Sequence, residues 1–233
     1  MKPVVSRDSK TWVLVILVFL VLNAPALTAQ PRELGTFRKS DLVELVRLDT
    51  TIHLDVRYAT AANFMNRPMY REARAFLQRP AAEALLRVHR RLRSCGFGLV
   101  VFDGYRPWSV TKSFWDATSR EKRKFVANPA RGSKHNRGCA VDLSLYEIAS
   151  GHEVAMPSSY DDFTEKASPK YRGGSQEARA MRNLLRNAME KEGFTVDGNE
   201  WWHFDYRDWK KYRILNVPFE QVPTPPLEEE QLK

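Results

Sequence analysis

One segment of the 233-residue chain limits the fold more than any other. Ala140 to Tyr146 reads AVDLSLY, with Val141, Leu143 and Leu145 on one side of an extended chain and Asp142 and Ser144 on the other. Strict alternation at a period of two makes a strand. A carboxylate among apolar neighbours on such a strand needs a partner wherever it is buried. A second apolar run, Leu99 to Asp103 (LVVFD), is bounded by glycines and predicts a buried strand beside it. Looser alternation over His53 to Tyr58 predicts another strand, followed by an irregular loop from Ala59 to Tyr70.

Helical signals lie between these runs. Pro80 stands at a first-turn position, Ala81, Ala84, Leu85, Val88 and Leu92 share one face, and Gly96 lies beyond the end. Pro107 opens a short helix through Trp115. A longer helix is expected over Ser175 to Glu192, with Met181, Leu184, Leu185, Ala188 and Met189 inward and Gly193 as its stop. Phe194 to Val196 and Trp201 to Tyr206 form a hairpin around Asp197-Gly198. This order of elements predicts an α+β fold, a single compact domain with an antiparallel sheet and flanking helices.

The N-terminus reads as an export signal. Lys2, Arg7 and Lys10 precede an uninterrupted apolar run from Trp12 to Leu22, and Ala24, Ala26 and Ala29 follow. The run falls short of the ~20 apolar residues of a membrane span. Cleavage after Ala26 or Ala29 puts the mature start near Gln30; an uncleaved anchor is the alternative. The expected organisation is a signal peptide over 1–29, one domain over 30–220, and an unstructured Pro- and Glu-rich tail over 221–233. The rest of the chain is then exported, periplasmic or extracellular, with no stable membrane anchor after signal cleavage.

Losing 1–29 leaves a net charge of about +7. The basic residues are scattered rather than interleaved with aromatics, so no nucleic acid partner is expected. Two cysteines exclude a disulfide-dense scaffold and any four-cysteine zinc module. Cys95 and Cys139 either pair in an oxidising compartment or stay free, with Cys139 as a packed small side chain.

The chain has five histidines. His135 lies in Ser133-Lys-His-Asn-Arg-Gly138, seven residues before Asp142, and His203 lies in Glu200-Trp-Trp-His-Phe204. Two imidazoles and one carboxylate make a three-ligand zinc site with a fourth position open to water. A further carboxylate, Glu200, is then placed to act as a base. Residues three apart on a regular strand face opposite ways, so Glu200 must sit on the loop before the strand or on a bulge for both it and His203 to reach one metal. The alternative is that each histidine caps a loop. Asp103-Gly-Tyr-Arg-Pro107 follows the buried strand and places Arg106 rigidly, with Asp103 to hold it. That pair either stabilises an oxyanion or only closes a turn.

Jointly, Ser133-x-His135-x-x-Gly138-x-Ala140-x-Asp142 and Glu200-x-Trp202-His203 resemble the zinc D,D-peptidases of the LAS, or peptidase M15, group. Arg57-Tyr-Ala-Thr60 with Asn63-Phe64, Asp103 to Pro107, Met156 to Asp161 and Gly193 to His203 are more similar still to its D-alanyl-D-alanine dipeptidases, the VanX type. The resemblance implies one Zn2+ per chain on His135, Asp142 and His203, with Glu200 as general base and then acid. It implies that Arg106 stabilises the tetrahedral intermediate. It also implies that Tyr58, Ser133 and Asp161 handle the termini of a small substrate, the D-Ala-D-Ala dipeptide. An acidic group suits the free ammonium of a dipeptide, although Asp162 stands beside Asp161, and the Ala59 to Tyr70 loop is a candidate lid. Cys139 stands where a small residue is expected, and Ala117 to Arg131 is short for a dipeptidase. Export favours scavenging or wall turnover over antibiotic resistance. The rival readings are a peptidoglycan D,D- or L,D-carboxypeptidase or endopeptidase of the same group, a non-catalytic zinc domain binding wall peptides, and an exported structural protein.

Overall fold

The computed structural model describes residues 29–223. Residues 1–28 of the expected signal peptide lie outside them. No helix among the described residues is long and apolar enough to cross a membrane.

The chain runs β1 (Leu42–Glu44), α1 (Leu45–Leu48), β2 (His53–Leu54), β3 (Phe76–Gln78), α2 (Arg79–Arg93), β4 (Phe97–Asp103), α3 (Trp108–Ala117), β5 (Ala140–Glu147), α4 (Gln176–Lys191), β6 (Phe194–Val196) and β7 (His203–Tyr206). Five strands form one sheet in the order β2-β4-β5-β7-β6, and β1 pairs with β3 in a small second sheet. The main sheet is antiparallel except at its edge, where β2 runs parallel to β4.

The helices follow their expected faces. Ala81, Ala84, Leu85, Val88 and Leu92 of α2 are buried, as are Leu185, Ala188 and Met189 of α4. α2 and α4 pack on each other and on the sheet. Ser175 caps α4, its hydroxyl accepting from the Ala178 N–H at 3.0 Å.

Three expectations need correction. The strand over His53 to Tyr58 stops at Leu54, and Arg57–Ala59 is a 3-10 turn that turns Tyr58 into the core. The hairpin strand starts at His203 rather than Trp201, so residues 197–202 form a wider connection than the Asp-Gly turn implied. The domain also continues past residue 220. Phe219 and Val222 are buried, and Phe219 packs on Tyr70 and Phe76 with ring centroids 4.6 and 5.3 Å apart. Residues 224–233 of the expected tail lie outside the described residues. Both cysteines are free, Cys95 exposed and Cys139 buried.

β5 is buried on both faces through Tyr146. Its Asp142 and Ser144 side therefore does not meet solvent; Asp142 faces Tyr160, which with Asp161 lines a cleft. Between β4 and β5 the register shifts. Val101 is opposite Leu143, yet Asp103 is opposite Asp142. A bulge of this kind re-aims side chains, and here it sets two carboxylates against each other.

Just beyond β4, Gly104 passes close under β3. A Cβ there would lie 2.6 Å from the Phe76 carbonyl oxygen, which already accepts the Tyr105 N–H at 2.7 Å. The Gly104→Ala protein is expected to be less stable by about 1–3 kcal/mol, as for other overpacked sites. In a chain of this size that lowers Tm by roughly 3–10 °C, measured by thermal unfolding.

Candidate metal centre and active site

Three loops and two strands deliver the site. His135 opens a 3-10 turn that ends at Gly138, whose φ of 65° is left-handed. The Ser133 hydroxyl accepts from the His135 N–H at 3.2 Å, and Asn136 Oδ1 accepts from the Ser133 N–H at 2.7 Å. Asn136 also donates to the Arg106 carbonyl at 2.8 Å, and the Arg106 N–H donates to the His135 carbonyl at 3.1 Å. The His135 loop and the Gly104–Pro107 loop are thus stitched together. His135 Nδ1 lies 2.7 Å from the Gly104 carbonyl, which makes Nδ1 the protonated nitrogen and leaves Nε2 free to point into the cleft.

His203 begins β7 opposite Asp142 of β5. Glu200 sits on the connection ahead of that strand, as the spacing argument required. Two fully buried indoles anchor this connection, Trp201 and Trp202. The Trp201 N–H donates to the Ala167 carbonyl at 2.8 Å, its ring N–H donates to Ser158 Oγ at 3.0 Å, and the Leu143 N–H donates to the Trp202 carbonyl at 3.1 Å.

The three candidate ligand atoms converge. His203 Nδ1 is 3.0 Å from Asp142 Oδ1, His135 Nε2 is 3.3 Å from the same oxygen, and the two ring nitrogens are 3.1 Å apart. Zinc held at about 2.0–2.1 Å by tetrahedral ligands separates them by roughly 3.3–3.4 Å. Asp142 Oδ1 is buried and has no hydrogen-bond partner, although buried polar atoms are nearly always paired. The other oxygen, Oδ2, accepts from the Tyr160 hydroxyl at 3.2 Å. Burial works to raise the Asp142 pKa, but His135 and His203 hold it well below the usual carboxylate range. These residues and this donor set fit a zinc ion, and they form the one such cluster found among the described residues.

Outer contacts fix the ligands. His203 Nε2 lies 3.0 Å from Asp205 Oδ1, and Asp205 Oδ2 meets Lys134 Nζ at 3.0 Å. Burial alone raises the Asp205 carboxyl, but His203 and Lys134 bring it down to about 2. The sequence reading missed Asp205, Lys134 and Tyr160. His203-x-Asp205 at strand spacing was the available signal for the first of them.

Glu200 is largely buried, with Oε2 3.9 Å from His203 Nδ1. Burial raises its pKa well above the usual value; His203 opposes this, while Asp142, Asp197 and Asp161 add to it. Arg106 donates through Nε and Nη2 to one oxygen, Asp103 Oδ2, at 2.8 and 2.7 Å. Its Nη2 is 3.6 Å from Asp142 Oδ2. Asp103 Oδ1 accepts from the Tyr70 hydroxyl and the Gly104 N–H, each at 2.9 Å. The guanidinium faces the rings of Phe114 and Tyr58, 4.8 and 5.4 Å away.

Tyr58 and Asp161, 103 residues apart in sequence, meet across the cleft. The Tyr58 hydroxyl is 2.9 and 3.1 Å from the two Asp161 oxygens. Burial lifts the Asp161 carboxyl to about 7, against the pull of the Tyr58 hydrogen bond. Ser133, also expected at the substrate, has its hydroxyl oxygen turned to the His135 N–H, so its visible task is to shape that turn.

Residues 38–224 match the model of a family described as peptidase M15, D-ala-D-ala dipeptidase. The D-alanyl-D-alanine dipeptidase of Escherichia coli (strain K12) is 29% identical over 180 residues, covering 77% of this chain and 92% of that protein. The D-alanyl-D-alanine dipeptidase of Enterococcus faecium is 33% identical over 185 residues, 69% of this chain and 90% of that one. That of Enterococcus faecalis is 33% identical over 194 residues, 74% of this chain and 92% of its relative. A match over most of the described chain, around a cluster of two histidines and an aspartate suited to a metal, places this protein in the peptidase M15 family of D-Ala-D-Ala dipeptidases.

Proposed function

We propose that the protein hydrolyses D-alanyl-D-alanine to two D-alanines, with one zinc ion held by His135, Asp142 and His203. The observation that carries this reading is the buried Asp142 Oδ1, without a hydrogen-bond partner, converging with two imidazole nitrogens beside a largely buried Glu200. Zinc bound there supplies Lewis acidity, polarising the scissile carbonyl and making water a stronger acid.

The remaining steps belong to side chains. Glu200 takes one proton from the attacking water, whose oxygen forms the new bond to the carbonyl carbon. The carbonyl electron pair moves onto oxygen, where the Arg106 guanidinium offsets the charge. Asp103 aligns Arg106 and keeps its buried charge paired. As the C–N bond breaks, Glu200 gives the proton to the departing amine. Asp161, oriented by Tyr58, binds the substrate ammonium, and the Ser133 hydroxyl proton is available to the other terminus. We further propose that the chain acts outside the cytoplasm, on the strength of Lys2, Arg7 and Lys10 ahead of the Trp12 to Leu22 run. There it would meet free dipeptide released from wall material.

The deciding assay compares D-Ala-D-Ala with N-acetyl-D-Ala-D-Ala. Cleavage of the free dipeptide alone is expected. Comparable cleavage of the acetylated substrate would instead make the protein a wall carboxypeptidase or endopeptidase of the same group. Glu200→Gln should keep stoichiometric zinc and lose at least about 100-fold in kcat, the usual scale for a general base. His203→Ala should lose the metal too, as read by elemental analysis after dialysis. Zinc loss from Glu200→Gln would contradict the base assignment.

The Asp161 carboxyl supplies a pH test. Its pKa near 7 means that the ligand-free enzyme gains a proton there as pH falls. Only the ionised form pairs with an ammonium, so dipeptide affinity should weaken below pH 7 and level off above it. Calorimetric binding to zinc-loaded Glu200→Gln measures this. In the Glu200→Gln, Asp161→Asn double variant, binding should be weak and flat across the same range.

A further inference from the structure

Two non-glycine residues among those described have positive φ, Asn66 at 53° and Asp161 at 59°. Left-handed backbone is strained for a residue with a Cβ and persists only where its surroundings hold it. Both residues line the same pocket of about 370 Å3, along with Arg57, Asn63, Phe64 and Tyr160. The Tyr58 hydroxyl pins the Asp161 carboxylate but does not hold its backbone.

Two residues further on, Phe163 is held between two rings. It stacks on Phe125 with centroids 5.2 Å apart and planes 10° from parallel, and it meets Phe64 at 5.0 Å and 50°. Phe64 packs in turn against Phe114 at 5.0 Å and Tyr58 at 6.1 Å, the two rings that face Arg106. Phe125 closes the 3-10 turn Arg120–Phe125. That turn is tied to α3 by Arg123, whose guanidinium lies 4.5 Å over Trp115 and whose Nε donates to the Thr118 carbonyl at 3.3 Å. Three stretches far apart in sequence, the Ala59 to Tyr70 loop, the Arg120–Phe125 turn and the Asp161 turn, therefore meet through three rings. All three rings are only partly buried, so they form the rim of the cleft rather than its core.

We propose that the Phe64–Phe163–Phe125 stack is a strap that holds Asp161 in place and walls off the amino-terminal end of the cleft. Phe163 is then the positioning residue that sets the preference for a free dipeptide over peptides extended at the amino end. This rests on the dipeptidase reading above. A carboxylate discriminates between an ammonium and an amide only if it stays where the ammonium must sit. Phe64, which packs on Phe163, lines the same pocket as Asp161, so the ring pair borders the space that an acetyl group or further residue beyond the ammonium position would need. The ring partners of Phe163 are Phe64 and Phe125, neither a candidate metal ligand, so its removal need not disturb the proposed metal site.

Steady-state kinetics of the purified zinc-loaded protein test the strap, using wild type, Phe163→Ala, Phe163→Tyr and Phe125→Ala on D-Ala-D-Ala and N-acetyl-D-Ala-D-Ala. For Phe163→Ala, KM for the dipeptide should rise about tenfold or more while kcat stays within about threefold, the split that marks lost substrate positioning. Its zinc content should match wild type, and its preference for the dipeptide over the acetylated substrate should fall about tenfold. Phe163→Tyr should behave as wild type. Phe125→Ala, at the outer end of the stack, should move KM and preference in the same direction by less, and it decides the matter if Phe163→Ala does not fold. Unchanged KM and preference in the alanine variants of a discriminating enzyme overturn the strap alone. Collapse of kcat with loss of zinc also overturns it, because the ring would then be core packing. A wild type that cleaves both substrates equally, or neither, overturns the dipeptidase reading and the strap with it.

Discussion

The buried carboxylate of Asp142 is the constraint around which the molecule is arranged. An ion of this kind in a protein interior costs several kcal/mol unless it is paired and hydrogen-bonded. The bulge after Val101 adds to the problem by setting Asp103 directly opposite. Arg106 answers both, 2.7 Å from one carboxylate and 3.6 Å from the other. Two carboxylates and one guanidinium still leave one negative charge. A divalent cation on Asp142 Oδ1 together with an ionised Glu200 brings the centre to neutrality. The outward shell, Asp205 with Lys134, is already paired within itself. On the proposed reading a divalent cation would complete this charge arrangement as well as supply the chemistry.

That arrangement is shared between strands and loops. Asp142 and His203 come from opposed positions on β5 and β7, which fixes one edge of the ligand triangle to the sheet. His135 and Arg106 come from two loops that would be mobile alone, but they share reciprocal backbone and Asn136 hydrogen bonds. Glu200 rides on a connection nailed down by two buried tryptophans. Each loop is thereby made nearly as rigid as the scaffold, which metal chemistry demands of its ligands.

Much of this was legible in the sequence, for reasons that differ by residue. The helices over Arg79–Arg93 and Gln176–Lys191 carry clear periodicity and end signals, and β5 carries strict alternation. Strand geometry limits Glu200 to the loop before the strand or to a bulge if it shares a metal with His203, and it lies on the connection ahead of β7. What was not legible depends on partners distant in sequence. The segment from His53 leaves the extended conformation after Leu54 because Tyr58 must turn inward to reach Asp161, and no local pattern encodes a contact over 103 residues. Val222 looks like the start of a polar tail, yet it is buried just beyond Phe219, which the Tyr70 and Phe76 rings cover. Ser133 fits a substrate contact by motif, yet its oxygen is committed to the turn that presents His135.

The two ends of the cleft are built on different physics. The metal end is a charge problem solved on a rigid sheet, so its geometry tolerates little change in any one member. The amino end is a packing problem solved at the rim, where partly buried rings hold a strained Asp161 against a tyrosine hydroxyl. Burial that raises the Asp161 carboxyl to about 7 also makes its ionisation sensitive to what enters. On the proposed reading an ammonium favours the ionised form, whereas an amide leaves the desolvated carboxyl with the Tyr58 hydroxyl alone. On the proposed reading, substitutions at the rim change selectivity for short peptides while the centre around Asp142 stays intact, because the charge balance there does not pass through the rings proposed to hold Asp161.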